Sequence, residues 1–171
     1  MVQTIEETCW QIISILRTDM PARLRALEIQ YATRPLPLEG IVRYYFGDIL
    51  NVDINAMPAI SVMGRGYVVE PSGLGYTTRD APRIEVECYI SQDPNLTLTV
   101  GGQEYSFTEI MQIKIMRYAR AIRELLIERR SLGATVDLLK ISDVLVSDVL
   151  PFENIFLKAC RVNVDITAQR R

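Results

Sequence analysis

Two short stretches of the sequence contain residues whose types and spacing could do chemistry. In Gly64-Arg65-Gly66, a glycine-rich turn with a neighbouring cation could bind a phosphate group. Glu85 and Glu87 alternate with apolar residues, so they share one face of a predicted strand, with their side chains about 6 to 7 Å apart. Two carboxylates at that separation could act as a general acid and a general base.

The glycines do not fit a known phosphate loop. A Walker A loop requires G-x-x-x-x-G-K-[ST], and a dinucleotide-binding fingerprint requires a third glycine and a following helix. Here Gly66 is followed by Tyr67-Val68-Val69, which is typical of a strand, and the chain has no Lys-Ser or Lys-Thr dipeptide. We therefore predict that a central strand ends at Gly64 and Gly66 in a bulge or turn, with Arg65 near an exposed rim.

The two glutamates lack the surroundings that acid–base catalysis needs. The sequence indicates no apolar pocket or basic partner near Glu85 and Glu87 that would separate their pKa values. The chain has no histidine, and Cys9, Cys88 and Cys160 lie far apart without CxxC spacing. We expect no catalytic, cofactor-binding or metal-binding residues. Glu85 and Glu87 are expected on a solvated charged face or lining a channel between subunits.

Length and composition indicate one soluble globular domain spanning 1–171, in which the cysteines act as small core residues. Hydrophobic residues make up 49% of the chain and charged residues 23%, and the net charge of −2 argues against non-specific nucleic-acid binding. No apolar run approaches the length of a membrane span, and no charged segment precedes an apolar one as in a signal peptide. We therefore expect neither a membrane-spanning segment nor a signal peptide.

The N-terminal part of the chain is predicted to be helical. Thr4-Ile5-Glu6-Glu7 fits a capping box, and apolar residues then recur at helical spacing, with Trp10 off their stripe. Asp19 before Met20-Pro21 predicts that a second helix starts there. Two prolines and a glycine in the segment 33–40 are expected to end helical structure.

The middle of the chain is predicted to be rich in strands. Segment 40–50 has β-branched and aromatic residues, and segment 83–90 alternates cleanly between apolar and polar residues. Turn residues throughout segment 68–82 predict a long exposed connection. Two β-prone runs around Gly101-Gly102 predict a hairpin, and the alternating segment 154–167 predicts a long final strand.

A long helix is predicted at 108–130, after a capping box at Ser106-Phe107-Thr108-Glu109 and before a stop at Gly133. Its two apolar strips, on opposite sides, predict burial against two surfaces. The main strip is Met111, Ile115, Tyr118, Ala119, Ile122, Leu125 and Leu126, and the thinner one is Ile113, Met116 and Ile127, shared with Arg120.

The grouping of the strands predicts an α+β fold, a mainly antiparallel sheet packed by an N-terminal helix and the helix near 108–130. This helix has six basic and three acidic residues, whereas segment 48–104 has eight acidic and three basic residues. A basic helix could bind nucleic-acid phosphates or an acidic patch on another protein. Its second apolar strip favours contact with protein.

The order of these elements resembles the tail terminator proteins of tailed bacteriophages, most closely those of lambda-like siphophages. In that family an N-terminal helix precedes a hydrophobic-Pro-Ala-hydrophobic strand ending at glycine, followed by a variable excursion, an acidic alternating strand, a helix and a long final strand. The corresponding pieces here are Thr4 to Leu16, Met57-Pro58-Ala59-Ile60-Ser61-Val62 with Gly64, Arg83 to Ile90, Thr108 to Arg130, and Asn154 to Thr167.

The resemblance implies a structural, non-enzymatic role in the virion. Family members form a ring, usually hexameric, that caps the tail tube, stops its polymerisation and provides the surface for docking to the head. The implied partners are further copies of the chain, the tail tube protein and a head-completion or connector protein. DNA would pass only as cargo, with no cofactor and no membrane. The protein would be made in the host cytoplasm and lie at the head-proximal end of the tail.

The resemblance implies contacts between subunits, for which the sequence offers candidates on the helix face opposite its main strip and on exposed positions elsewhere. An aspartate at Ile113 or Met116 should then weaken assembly without unfolding the chain, whereas a charge at Ile122 should unfold it. The interface candidates are Trp10, Arg65, Ile113, Met116, Arg120 and Ile127.

The chain departs from the family pattern in its predicted second helix with segment 33–40, its hairpin at Gly101-Gly102 and its longer last helix. A related neck component, such as a tail-completion or head-closure connector, and the terminator of a contractile tail therefore stay open. Two further alternatives are a small enzyme using the paired carboxylates and a nucleic-acid-binding module. The latter would use Lys114, Arg117 and Arg123.

Overall fold

A computed structural model of the chain describes residues 4–49, 53–71, 78–130, 132 and 138–167. Within these residues two helices, α1 (Ile5–Gln30) and α2 (Phe107–Glu128), pack against each other and against one face of the main sheet, with a hydrophobic core between them. The strands are β1 (Arg43–Phe46), β2 (Ala59–Pro71), β3 (Thr78–Gln92), β4 (Leu98–Val100), β5 (Gln103–Tyr105), β6 (Leu138–Val146), β7 (Leu150–Phe152) and β8 (Ile155–Thr167).

The main sheet has the order β1-β2-β3-β8-β6, and β7 also pairs with β8. Among the strand pairings of the described residues, that of β1 with β2 is parallel and the others are antiparallel. β4 and β5 form a separate hairpin. The predicted α+β class with a mainly antiparallel sheet is confirmed.

Helix α1 begins at the predicted capping box, where the Thr4 N–H donates to a Glu7 carboxylate oxygen over 2.9 Å. The predicted second helix is wrong, because α1 continues without a break past Asp19 and Pro21 to Gln30. A proline inside a helix costs about 3 kcal/mol. The continued helix buries Met20, Leu24 and Leu27, and burial of each such side chain contributes about 1.5 to 3 kcal/mol, which outweighs that cost.

The predicted bulge at the glycines is present, but the predicted end of the strand there is wrong. The pairing of β2 with β3 shifts register between Gly64 and Gly66, and Gly66 has a φ of 103°. Because the bulge accommodates one extra residue, the ladder resumes beyond it and reaches Pro71. Most of segment 68–82, predicted to be an exposed connection, therefore forms two paired strand arms, while 72–77 lie outside the described residues.

Four other predictions concern strands. Segment 83–90 lies in β3 with its apolar side chains buried, and 154–167 corresponds to β8. Gly101 and Gly102, with φ of 59° and 81°, form the predicted two-residue turn between β4 and β5. In the described part of segment 40–50, residues 40–49, four residues form a strand, because Gly47 turns the chain at a φ of 92°.

Helix α2 follows its predicted pattern. The Ser106 N–H donates to the Glu109 carboxylate over 2.9 Å, and every residue of the predicted main strip is buried. The helix ends at Glu128, while Gly133, the expected stop, lies outside the described residues. All three cysteines are buried in the core, as predicted.

Candidate functional site

A row of ion pairs crosses the sheet face that α1 and α2 leave open. The Arg65 Nε donates to Glu85 over 2.7 Å, and a second Arg65 nitrogen lies 3.2 Å from an Asp48 oxygen. The Arg161 Nε donates to Glu87 over 2.7 Å. The row therefore joins β2, β3 and β8 by charge as well as by backbone hydrogen bonds.

The absence of a basic partner, predicted for both glutamates, is wrong. Arg161 is the register partner of Glu87 between β3 and β8, and the bulge in β2 places Arg65 beside Glu85. The hydrogen bonds to these carboxylates raise the pKa values of both arginines. One sequence signal for this contact is the alternation of 154–167, which puts Arg161 on the polar face of its strand.

Glu87 is the more enclosed of the two carboxylates, with 7% of its surface exposed. It accepts hydrogen bonds from Arg161 and from the Tyr89 hydroxyl. Burial raises the pKa of Tyr89, and the hydrogen bond to Glu87 raises it further. Because Arg161 and Tyr89 both donate to Glu87, its carboxylate is held in place with its charge compensated. This arrangement fits a structural role better than proton transfer.

Most of the basic set predicted to bind nucleic acid, Lys114, Arg117 and Arg123, is not on the open surface, which corrects that prediction. Lys114 and Arg117 are each 5% exposed. The Lys114 Nζ donates to Glu39 over 2.6 Å, and Arg117 donates to the backbone oxygens of Arg34 and Leu36 over 2.8 and 3.1 Å. Two of the three cations proposed to bind phosphate are thus occupied inside the fold.

The four interface candidates on α2 lie in different surroundings. Met116 and Ile127 are 56% and 42% exposed, whereas Ile113 is half-buried. Arg120 donates to Glu124 over 2.6 Å and to the Tyr31 hydroxyl over 2.5 Å, so it is tied to the end of α1. The exposed part of the thin apolar strip is therefore Met116 and Ile127.

The two remaining interface candidates lie near the β1 edge of the sheet. The indole of Trp10 on α1 stacks on Phe46 of β1, with ring centroids 4.9 Å apart and planes at 8°. The two residues remain 50% and 46% exposed. Arg65 is tied to Glu85 and Asp48 in the row of ion pairs.

The sequence reasoning missed an apolar surface at the opposite edge of the sheet. Val144, Leu145 and Val146, consecutive residues of β6, are 37%, 51% and 38% exposed. A groove of about 520 Å³ lies between this strand and the end of α2. The signal was the run Val144-Leu145-Val146, since a strand with one solvated face would alternate apolar and polar residues.

Comparison of the sequence with models of protein families finds no match, and comparison with curated proteins finds none. Within the described residues, no group of three or more acidic, histidine or cysteine side chains could hold a metal ion. In the same residues, neither helix is long and apolar enough to cross a membrane.

Proposed function

We propose that the protein is a structural component of a tailed bacteriophage, the tail terminator that forms a ring on the end of the tail tube. In this role it stops tube polymerisation and provides the surface to which the head docks. The role is assembly rather than catalysis. It requires surfaces that bind further copies, the tube protein and a head-completion or connector protein.

The order of the elements supports the proposal. The N-terminal helix, the strand with Pro58-Ala59 at its start, the acidic strand β3, the helix α2 and the long strand β8 follow one another as in the tail terminators. Because α1 is one continuous helix, the expected second helix no longer separates this chain from the family pattern. Segment 33–40, the hairpin β4–β5 and the longer last helix remain departures.

The observation that carries the proposal is the exposure of large apolar side chains at both edges of one sheet. Trp10 and Phe46 lie at the β1 edge, and Leu145 lies in the β6 edge strand. Apolar surfaces of this kind mark contacts with protein. Two separate contact surfaces on one chain are what a ring built from head-to-tail contacts requires.

The test is the growth of tail tubes from purified tube protein, followed by negative-stain imaging with and without this protein. We expect that adding the protein to growing tubes stops their elongation and leaves a ring at one end of each tube. Tubes that keep growing, with no protein bound at their ends, would overturn the proposal.

The same preparation separates the terminator from its rivals. A head-closure connector would bind head particles and leave tube elongation unchanged. A nucleic-acid-binding module would retard DNA at physiological salt, and its affinity would fall steeply as salt rises. The burial of Lys114 and Arg117 disfavours the second rival.

A further inference from the structure

Within the described residues, β1 and β6 end the strand order of the main sheet, and each pairs with a neighbour on one side, as β7 does with β8. β1 pairs with β2, and β6 pairs with β8. An edge strand presents unpaired N–H and C=O groups to which another strand can add. From the order and pairing of the strands, β1 and β6 run in opposite directions. A β1 strand added beside β6 in a continuous sheet would therefore pair with it antiparallel.

The β6 edge is apolar and bordered by positive charge. We define the β6 edge surface as Met116, Ile127, Val144, Leu145 and Val146, all of them at least one-third exposed. The adjoining groove is lined by three exposed cations and by one acid, Asp143, which accepts a hydrogen bond from Asn163. The cations are Arg123, Arg130 and Lys140.

The β1 edge is aromatic and carries charges of both signs. Two exposed cations lie over its tyrosine rings, Arg17 over Tyr44 and Arg43 over Tyr45. We define the β1 edge surface as Trp10, Val42 and Phe46, which are 50%, 59% and 46% exposed. Glu6 is exposed one helical turn before Trp10, and the side chain of Asp48, two residues after Phe46, is 60% exposed.

We propose that the β6 edge surface of one copy binds the β1 edge surface of the next copy, so that the main sheet continues from subunit to subunit. Apolar side chains meet on both sides, and edge N–H and C=O groups of the two antiparallel strands pair. The contact is heterologous and leaves one surface of each kind free, so it propagates until the ring closes. This contact specifies how the subunits of the proposed ring would bind one another, and it rests on the proposed function, which requires the protein to self-assemble.

Two variants block the two surfaces separately. Ile127→Glu places a carboxylate in the groove, where contact with the apolar β1 edge surface would remove it from water. The variant is expected to fold, because residue 127 is exposed and the new glutamate lies one helical turn from both Arg123 and Arg130. Trp10→Ala removes the large aromatic anchor from the β1 edge surface. The matched control is Ile29→Glu, because Ile29 is 77% exposed on α1 and belongs to neither surface.

The experiment measures mass by sedimentation and native mass spectrometry, with circular dichroism to check folding. We expect wild type and Ile29→Glu to form closed oligomers, and each blocking variant to associate at least tenfold more weakly. An equimolar mixture of Ile127→Glu and Trp10→Ala should form a heterodimer and nothing larger, since one intact surface of each kind remains. If Ile127→Glu fails to fold, Leu145→Glu replaces it, because residue 145 is the register partner of Arg161.

Other results overturn the inference. A blocking variant that assembles like wild type, or that forms a homodimer, would contradict it. So would an equimolar mixture of the two variants that stays monomeric, or a wild-type protein that is still monomeric at about 1 mM. The experiments distinguish failure of this edge-to-edge contact from failure of the proposed tail-terminator function. A protein that caps tubes but assembles through other surfaces refutes this inference alone, whereas one that forms these oligomers but ignores tubes refutes the tail-terminator role alone.

Discussion

The guanidinium of Arg117 on α2 lies 4.4 Å from the ring centroid of Tyr31, the residue that caps the end of α1. From there Arg117 also donates to the backbone oxygens of Arg34 and Leu36. One buried cation thus fixes the chain that leaves α1 toward β1. Burial lowers the pKa of Arg117, so the contacts that it makes must offset the cost of enclosing its charge.

We expect Arg117→Ala to lower the free energy of unfolding by about 2 to 3 kcal/mol, because it leaves backbone acceptors without their charged donor. Arg123→Ala is the control on the same helix and should change stability by less than about 0.5 kcal/mol, since Arg123 is exposed. Urea denaturation measures both. Equal stabilities of the two variants would contradict the structural role of Arg117.

The pairing of Arg161 with Glu87 predicts a second loss of stability. Glu87 is nearly buried, so Arg161→Ala should cost about 1 to 2 kcal/mol, a value reduced by the partial exposure of the arginine. Arg83→Ala is the control, because Arg83 lies 3.5 Å from Asp165 and both side chains are more exposed. If the double variant Arg161→Met/Glu87→Met is no more stable than Arg161→Ala, the loss does not come from an unpaired carboxylate.

The close approach of α1 to the bulge in β2 predicts a steric effect. A Cβ at position 64 would lie 2.3 Å from the Ile5 Cγ2, whereas one at position 40 would meet nothing within 4 Å. We expect Gly64→Ala to cost about 1 to 3 kcal/mol by overpacking and Gly40→Ala to be nearly neutral. The double variant Gly64→Ala/Ile5→Ala should be less destabilised than the two single changes added together. Thermal unfolding of the three single variants and the double variant measures these effects. A Gly64→Ala protein as stable as wild type would refute the close approach of Ile5 to Gly64.

Local patterns predicted the elements whose residues obey one periodicity from end to end. The stripe on α2, the alternation in β3 and the turn at Gly101-Gly102 are of this kind. The predictions failed where a long-range contact outweighed a local signal. Pro21 indicates a break in α1, but burial of Leu24 and Leu27 carries the helix through it.

The charged face could not be predicted in full, because its contacts join residues far apart in the chain. Glu85 and Glu87 were recognised as a pair, but Arg65 reaches Glu85 only through the bulge in β2. Arg161 reaches Glu87 through the register of β3 with β8, which alternation alone does not set. Single-sequence patterns place each side chain on a face, whereas the partner across the sheet depends on the fold.

The two strips of α2 give the last prediction, since they differ in burial on the same helix. Ile122 is fully buried, and Met116 is 56% exposed. Ile122→Asp should unfold the protein, because a carboxylate enclosed in the core has no counter-ion. Met116→Asp should keep the circular dichroism spectrum and thermal midpoint of wild type, within about 0.5 kcal/mol of stability, while weakening self-association. A Met116→Asp protein that unfolds would place this residue in the core and remove it from the β6 edge surface.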